Sequence, residues 1–170
     1  DTETRRWYEV QEYIPHGSLQ KHLKNEKSPA FIRELLHEIA PALHHLHENQ
    51  IIHLDLKPSN ILIRSEEPLD LVLTDFGISS LLNSDVSRKM TQVKGTPLYW
   101  SPESFTGIVG VEADFWALGV IVLEMFLGYH PFKDLDTRVI MFMLTTRVIS
   151  IPENMPKDLK LLVGGLLTRD

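Results

Sequence analysis

The chain has no cysteine among its 170 residues. This absence excludes disulfide bonds and metal sites built from thiolates, and it fits a reducing compartment. We therefore expect a cytoplasmic location.

Excess positive charge is also missing. Lys and Arg together number 17 against 23 Asp and Glu, which gives a net charge of −6. Non-specific binding to nucleic acid requires a basic face. We therefore expect no nucleic-acid partner.

A long hydrophobic run is absent as well. The longest apolar stretch, "FWALGVIVLEMFLG" at 115–128, is too short to cross a bilayer as a helix, and it carries Glu124. The sequence contains no secretory-signal pattern. No membrane contact is expected from this segment, while an anchor outside it and the oligomeric state stay open.

The residues that are present have the patterning of one helix-rich domain with a core, since 43% of them are hydrophobic. Bulky apolar and polar residues alternate in "WYEVQEYI" at 7–14, which predicts a strand, and Pro15-His16-Gly17 predicts a turn after it. Ser18 is then expected to cap a short helix over 19–25.

Ser28 followed by Pro29 predicts the start of a long helix. Pro41 lies inside that helix and is expected to remove a backbone donor and bend it. The apolar residues recur at steps of four and three, as in an amphipathic core helix: Ile32, Leu36, Ile39, Leu43 and Leu46.

The remaining elements follow in order along the chain. "NILI" and "LDLVLTDF" predict two short strands joined by the acidic turn at 65–68, and the long polar segment after them is expected to be a functional loop. Residues 112–127 are apolar almost all round, which predicts a buried central helix. Two further helices are predicted over 136–146 and 157–168. Repeats and linkers are absent from the sequence, so one unit is expected.

The stretch "HLDLKPSN" at 53–60 carries polar side chains between two apolar runs, an arrangement typical of an active-site loop held by packed elements. The Asp55 carboxylate can accept a proton from a hydroxyl substrate, and the Lys57 ammonium can neutralise phosphate charge. The carboxamide oxygen of Asn60 suits Mg²⁺, as does the carboxylate of Asp75, which begins the sequence "DFG". The alternative is that these carboxylates and the carboxamide only cap turns.

Together these residues resemble the eukaryotic-type protein kinases. The catalytic-loop motif H-R-D-L-x-x-x-N is present as "HLDLKPSN", D-F-G as "DFG" and A-P-E as "SPE" at 101–103. "GTPLYWSPE" is similar to the family's substrate-docking segment, and residues 114–119 match the pattern that opens its central helix. "KPS" at 57–59 and "GTPLY" resemble the serine/threonine branch of the family.

The resemblance implies an α+β, mainly α fold and roles for individual residues. Asp55 would accept the proton of the substrate hydroxyl, and Lys57 would contact the transferring phosphoryl group of ATP. Asn60 and Asp75 would ligate Mg²⁺. Thr96 would bond near the catalytic carboxylate, and Asp114 would anchor the backbone of the catalytic loop. The implied partner is a protein substrate with a Ser or Thr acceptor.

The same resemblance implies a nucleotide-binding hinge in "QEYI". Gln11 would be the gatekeeper. The carbonyl of Glu12 and the backbone of Ile14 would meet the adenine edge, while Leu62 would form the floor beneath it.

Two substitutions depart from the family pattern. Leu54 stands where the family usually has Arg, so the basic pocket that reads a phosphorylated loop lacks its central member. Loop phosphorylation is therefore not expected to be the on-switch. Ser101 replaces Ala in A-P-E, which is a mild change.

Several family elements have no counterpart in the sequence, including the Gly-rich loop, the strand lysine and the Arg that would pair with Glu103. We expect a partial kinase domain, with the end of the N-terminal lobe and the hinge at 1–17 and a truncated C-terminal lobe at 18–170. Such a fragment is expected to be inactive by itself.

Two other functions stay open at this point. One is a pseudokinase-like scaffold that binds partners without turnover. Such a scaffold does not need Asp55, Asn60 and Asp75, so the presence of all three weighs against it. A small-molecule kinase of the aminoglycoside type shares a related catalytic loop, whereas "DFG", "SPE" and residues 114–119 favour a protein substrate. A metal site formed by His37, His44 and His47 lacks supporting carboxylates or cysteines in the sequence pattern.

Overall fold

The computed structural model of the chain describes residues 10–23, 25–76, 80–81, 88–89, 97–146 and 149–168. Within them the fold is mainly helical. The helices are α1 (Leu19–His22), α2 (Pro29–Glu48), α3 (Glu112–Leu127), α4 (Thr137–Thr146) and α5 (Lys157–Leu166). Short 3₁₀ turns span Pro58–Asn60, Pro97–Tyr99 and Glu103–Thr106.

The strands form small antiparallel pairs. They are β1 (Ile51–Ile52), β2 (Ile61–Glu66), β3 (Leu69–Leu73), β4 (Ser80–Leu81), β5 (Arg88–Lys89) and β6 (Ile108–Val109). β1 pairs with β4, β2 with β3 and β5 with β6. The β2–β3 pair confirms the predicted hairpin, with Ile61 opposite Leu73 and an irregularity between Ile63 and Ser65.

Helix α2 begins where the sequence predicts. The backbone nitrogen of Phe31 donates to the Ser28 hydroxyl at 3.2 Å, and Pro29 occupies the first turn, where its missing N–H costs nothing. The helix continues through Pro41, whose side chain is exposed. Its fully buried face consists of Ile32, Leu35, Ile39 and Leu43, with Leu36 and Leu46 partly buried beside it.

Helix α3 is the centre of the core and has the predicted bounds. Eleven of its residues are buried, from Asp114 to Met125, because apolar side chains surround the helix axis. It ends at Gly128, which has a φ of 76° and whose nitrogen donates to the carbonyl of Glu124 at 2.9 Å. A Cβ at this glycine would lie 2.7 Å from the backbone nitrogen of Glu26, so only glycine fits.

Several sequence predictions need correction. Residues 10–14 form no strand in the described structure, since a strand requires a partner for its backbone groups, and residues 7–9 lie outside the described part. Helix α1 ends at His22 rather than at 25, and the Ser18 side chain makes no capping hydrogen bond. The last two helices are shorter than predicted, since α4 begins at Thr137 and α5 ends at Leu166.

Among the described residues, no helix combines the length and the apolar character that a membrane span requires.

Candidate active site

The loop that joins β1 to β2 is anchored to the core by a carboxylate of α3. Asp114, in the first turn of α3, accepts hydrogen bonds from the backbone nitrogens of His53 and Leu54, both at 2.9 Å. The Nε2 atom of His47 on α2 lies 2.9 Å from the same carboxylate. Asp114 is only 1% exposed, and such a buried charge is stable only when several donors surround it.

Leu54 needs this anchor because its backbone is strained. Its φ is 66°, in the left-handed region that costs a residue with a Cβ about 1 kcal/mol or more. The hydrogen bond from its N–H to Asp114 helps hold this conformation. The turn fixes the direction of the chain just before Asp55.

Three of the predicted site residues lie in direct contact. Lys57 Nζ is 2.7 Å from Asp55 Oδ2, and the Asn60 amide nitrogen is 3.1 Å from the same oxygen. That amide nitrogen also donates to the Asp55 carbonyl at 2.9 Å. Asn60 is buried and its amide nitrogen is engaged, so Oδ1 is its remaining acceptor atom. The Ser59 hydroxyl donates to Oδ1 at 3.3 Å, and the second lone pair of Oδ1 is available to a cation.

His53 connects this loop to the segment that carries Asp75. The Asp55 nitrogen donates to His53 Nδ1 at 3.3 Å, so Nε2 is the protonated nitrogen and donates to the carbonyl of Thr74 at 3.0 Å. The nitrogen of Thr74 in turn donates to the carbonyl of Asn60 at 3.0 Å. Both backbone groups of Thr74, the residue before Asp75, are therefore hydrogen-bonded. Asp75 itself has a φ of 65°.

The predicted metal ligands fit the ion that the family would place here. Asn60 and Asp75 supply a carboxamide and a carboxylate oxygen, which are the hard ligands that Mg²⁺ prefers. In the described part of the chain, no three His, Cys, Asp or Glu residues come together as a separate metal site. The histidine alternative on α2 forms no such cluster within the described residues, and the Asp114 carboxylate that His47 contacts is taken up by the backbone of the loop.

The predicted nucleotide segment runs beside β2. Ile14 is buried, whereas the side chains of Gln11 and Glu12 are exposed. The backbone nitrogen of Ile63 donates to the carbonyl of Gly17 at 2.8 Å, and Ser18 forms a bridge with Leu62. These bonds bring the end of the segment to the partly buried Leu62.

A second buried cluster lies under the segment at 97–100. Tyr99 donates its hydroxyl hydrogen to Glu124 on α3 at 2.7 Å, and its ring stacks edge to face on His130 with centroids 4.8 Å apart. Burial raises the pKa of Glu124, and burial together with the Glu124 charge raises the pKa of Tyr99. Burial lowers the pKa of His130 to about 4, so this histidine is neutral at pH 7.

Ser101 is also accommodated. It is fully buried, and its hydroxyl lies 2.8 Å from that of Ser104, so the polar group that distinguishes it from Ala is paired. Thr96, and the glycine of "DFG", lie outside the described residues. Four hydroxyl residues of the long polar segment that could be phosphorylated also lie outside the described residues: Ser79, Ser84, Ser87 and Thr91.

Sequence reasoning missed two contacts of this region. It considered His47 as part of a histidine metal site and not as a partner of Asp114, and it did not identify Arg64, which contacts Glu12. The sequence offers no usable signal for the Arg64 contact, because the β2–β3 ladder is irregular between Ile63 and Ser65 and strand alternation does not place Arg64 there.

Comparison with known proteins identifies the family of the chain. The family described as protein kinase domain matches residues 2–170. An Aurora kinase of Candida glabrata is 35% identical over 169 residues, covering 98% of this chain and 46% of that protein. A probable serine/threonine-protein kinase of Dictyostelium discoideum is 30% identical, with 98% and 36% covered. A cAMP-dependent protein kinase catalytic subunit of the same organism is 34% identical, with 98% and 25% covered. The chain thus spans less than half the length of these relatives.

Proposed function

This chain belongs to the protein kinase family, and we propose that it is the hinge and C-terminal lobe of a serine/threonine kinase. The reaction is transfer of the γ-phosphoryl group of ATP to a Ser or Thr hydroxyl of a protein substrate. The name of the Dictyostelium discoideum relative, a probable serine/threonine-protein kinase, supports the serine/threonine assignment. The proposed boundaries are 1–17 for the end of the N-terminal lobe and the hinge and 18–170 for the C-terminal lobe.

The observation that carries the proposal is the contact among Asp55, Lys57 and Asn60. One carboxylate oxygen of Asp55 receives hydrogen bonds from both an ammonium and an amide, which fixes its orientation. A carboxylate that is held in this way can receive a proton from a hydroxyl without moving. Positioning of this kind supplies most of the catalysis in phosphoryl transfer.

The roles of the residues follow from their chemistry. The substrate oxygen forms a bond to the γ-phosphorus while the bond to the β–γ bridging oxygen breaks, and the hydroxyl proton moves to Asp55. Lys57 neutralises charge on the transferring group. When bound, Mg²⁺ supplies further charge neutralisation at the phosphates, and Asn60 Oδ1 and Asp75 are the groups that would hold it.

The hinge completes the proposed nucleotide site. Gln11 would be the gatekeeper, and the backbone of Glu12 and Ile14 would bond to the adenine edge above Leu62. Leu54 in place of Arg supports regulation other than by loop phosphorylation. We further propose a cytoplasmic location, which the absence of cysteine supports.

The proposal is tested by comparing the 170-residue chain with the full-length protein that contains it. The chain alone should transfer little labelled phosphate, because the family's phosphate-binding roof and its lysine have no counterpart in it. The full-length protein should label Ser or Thr of a protein substrate. Nucleotide binding without transfer to any of a broad set of protein substrates would instead favour a pseudokinase-like scaffold.

A further inference from the structure

Arg64 joins the proposed hinge to the β2–β3 hairpin, because its guanidinium binds one carboxylate in each of them. Its Nε and Nη2 atoms donate to the two carboxylate oxygens of Glu12 at 3.2 and 3.1 Å. Its Nη1 atom donates to both oxygens of Asp70 on β3, at 3.3 and 3.1 Å. One guanidinium therefore binds a carboxylate of the hinge segment on one side and a carboxylate of the hairpin on the other.

We propose that Arg64 is a positioning residue for nucleotide binding, which fixes the backbone of residues 12–14 beside Leu62. The inference rests on the proposed function, since residues 12–14 and Leu62 form the adenine site only if the protein binds ATP. Arg64 is not one of the adenine-contacting groups named above. It acts through the side chain of Glu12, whose backbone carbonyl is the proposed adenine contact.

The position of Arg64 on β2 suits this role. The β2–β3 ladder is irregular at Arg64 itself. However, Asp70 and Val72 are two residues apart in β3 and Val72 is paired with Leu62, so the side chains of Asp70 and Leu62 leave the same face. The guanidinium of Arg64 donates to Asp70 on that face. The face that carries the proposed adenine floor thus also carries the guanidinium that holds the hinge. Ile63, the residue after Leu62, points to the other face and is buried in the core.

A second attachment lies further along the same segment. Gly17 and Ser18 bond to β2 through the backbone of Ile63 and the bridge with Leu62. Arg64 adds a contact at residue 12, five residues before Gly17. A segment that is attached at both ends to one strand has fewer conformations than a segment attached at one end, and a site ordered in advance binds its ligand more tightly.

The contacts of Arg64 require a guanidinium group. Exposed single ion pairs contribute little, but a planar guanidinium that binds carboxylates on two sides holds both in fixed directions. Hydrogen bonds to Asp70 and Glu12 raise the pKa of Arg64, so it is charged at every relevant pH. A lysine has the same charge, but its ammonium is compact and lacks the planar set of donors, so it cannot make both bidentate contacts.

The test compares Arg64→Ala with Arg33→Ala in the full-length protein. Arg33 also makes a bidentate bond to an exposed carboxylate, Asp158, at 2.7 and 3.0 Å, but it joins α2 to α5 and not the hinge. The measurements are the Kd of Mg-ATP by titration and the KM and kcat of phosphoryl transfer. Arg64→Ala should raise the Kd and the KM for ATP roughly two- to fivefold, which is the change in affinity expected from the loss of an exposed ion pair.

The same variant should leave kcat and the KM for the protein substrate nearly unchanged, because Arg64 does not touch the reacting groups. Arg64→Lys should restore only part of the affinity. Equal effects of Arg64→Ala and Arg33→Ala would overturn the inference, and so would a loss confined to kcat. An unchanged Kd for ATP would overturn it as well.

Glu12→Gln provides the matching change on the hinge and leaves its backbone carbonyl in place. If the two side chains act together, the double variant Arg64→Ala with Glu12→Gln should weaken ATP binding no more than the stronger single variant. Additive losses would contradict the inference. Failure of the unaltered protein to bind Mg-ATP would overturn the proposed function itself, whereas normal ATP binding that is insensitive to Arg64 would overturn only its positioning role.

Discussion

Asp114 Oδ1 accepts a hydrogen bond of 2.9 Å from the backbone nitrogen of Leu54, a residue 60 positions earlier in the chain. The other carboxylate oxygen accepts from the nitrogen of His53. The start of the central helix thus fixes the backbone of the loop that carries Asp55. The buried charge at Asp114 therefore contributes both to the geometry of the site and to stability, because three donors surround it.

Replacement of Asp114 should lower both the stability and the activity of the protein. In Asp114→Asn, the amide nitrogen would face backbone N–H donors, so we expect the free energy of unfolding to fall by about 2–4 kcal/mol. Phosphoryl transfer should also fall, because the loop loses its fixed direction. Urea denaturation and a transfer assay on the same preparations measure both effects.

Asp136→Asn is a matched control for that experiment. Asp136 accepts from the backbone nitrogen of Arg138 at 2.9 Å, but it is exposed and lies away from the site. Its replacement should cost at most about 1 kcal/mol and leave transfer unchanged. Similar losses in the two variants would show that the Asp114 contact has no special role.

His130 should make stability depend on pH. Its pKa is about 4 in the folded protein against 6.5 when unfolded, so between these values the unfolded chain binds more protons. Stability should therefore decline as pH falls from 6.5 to 4, by up to about 3 kcal/mol. Glu124 opposes this change, since its raised pKa favours the folded state at low pH.

The variant His130→Asn separates the two contributions. Asn can still accept the hydrogen bond that the Phe132 nitrogen donates to His130 Nδ1, but it does not titrate. Unfolding free energies of both proteins at pH 7, 5.5 and 4.5 give the difference that belongs to His130. As pH falls, the free energy of unfolding of the wild type should decrease more than that of the variant. A difference between the two that does not change with pH would contradict the prediction.

Leu54 leads to a prediction about regulation. A phosphorylated loop residue lacks a bidentate partner at this position, so removal of the loop hydroxyls should leave turnover within about tenfold of wild type. The variant replaces five residues together by Ala: Ser79, Ser80, Ser84, Ser87 and Thr91. A much larger loss of turnover that acidic substitutions restore would show that loop phosphorylation is the switch.

The elements that could be predicted from the sequence are those determined by local patterns. The apolar residues of Glu112–Leu127 fixed both ends of α3, and the Ser28-Pro29 pair fixed the start of α2. The stretch at 10–14 was predicted wrongly because alternation alone does not supply a strand partner.

The contacts that could not be predicted join residues far apart in the chain. His47 and Asp114 are 67 positions apart, and Arg64 and Glu12 are 52 apart. Their side chains meet only because α3 packs against α2 and because the segment before α1 lies along β2. Spacing in the sequence carries no record of such packing, whereas the motif at 53–60 was visible because its polar groups lie on one short loop.

The most direct test of the account is the rate of transfer of labelled phosphate by the full-length Asp55→Asn protein. The amide cannot accept the hydroxyl proton, so the rate should fall roughly a hundredfold to ten-thousandfold, with Mg-ATP binding retained. Asp134→Asn makes the same chemical change at an exposed residue whose φ of 64° suits Asn, and it should keep the full rate. A rate for Asp55→Asn equal to that of Asp134→Asn would contradict the assignment of Asp55 as the catalytic base.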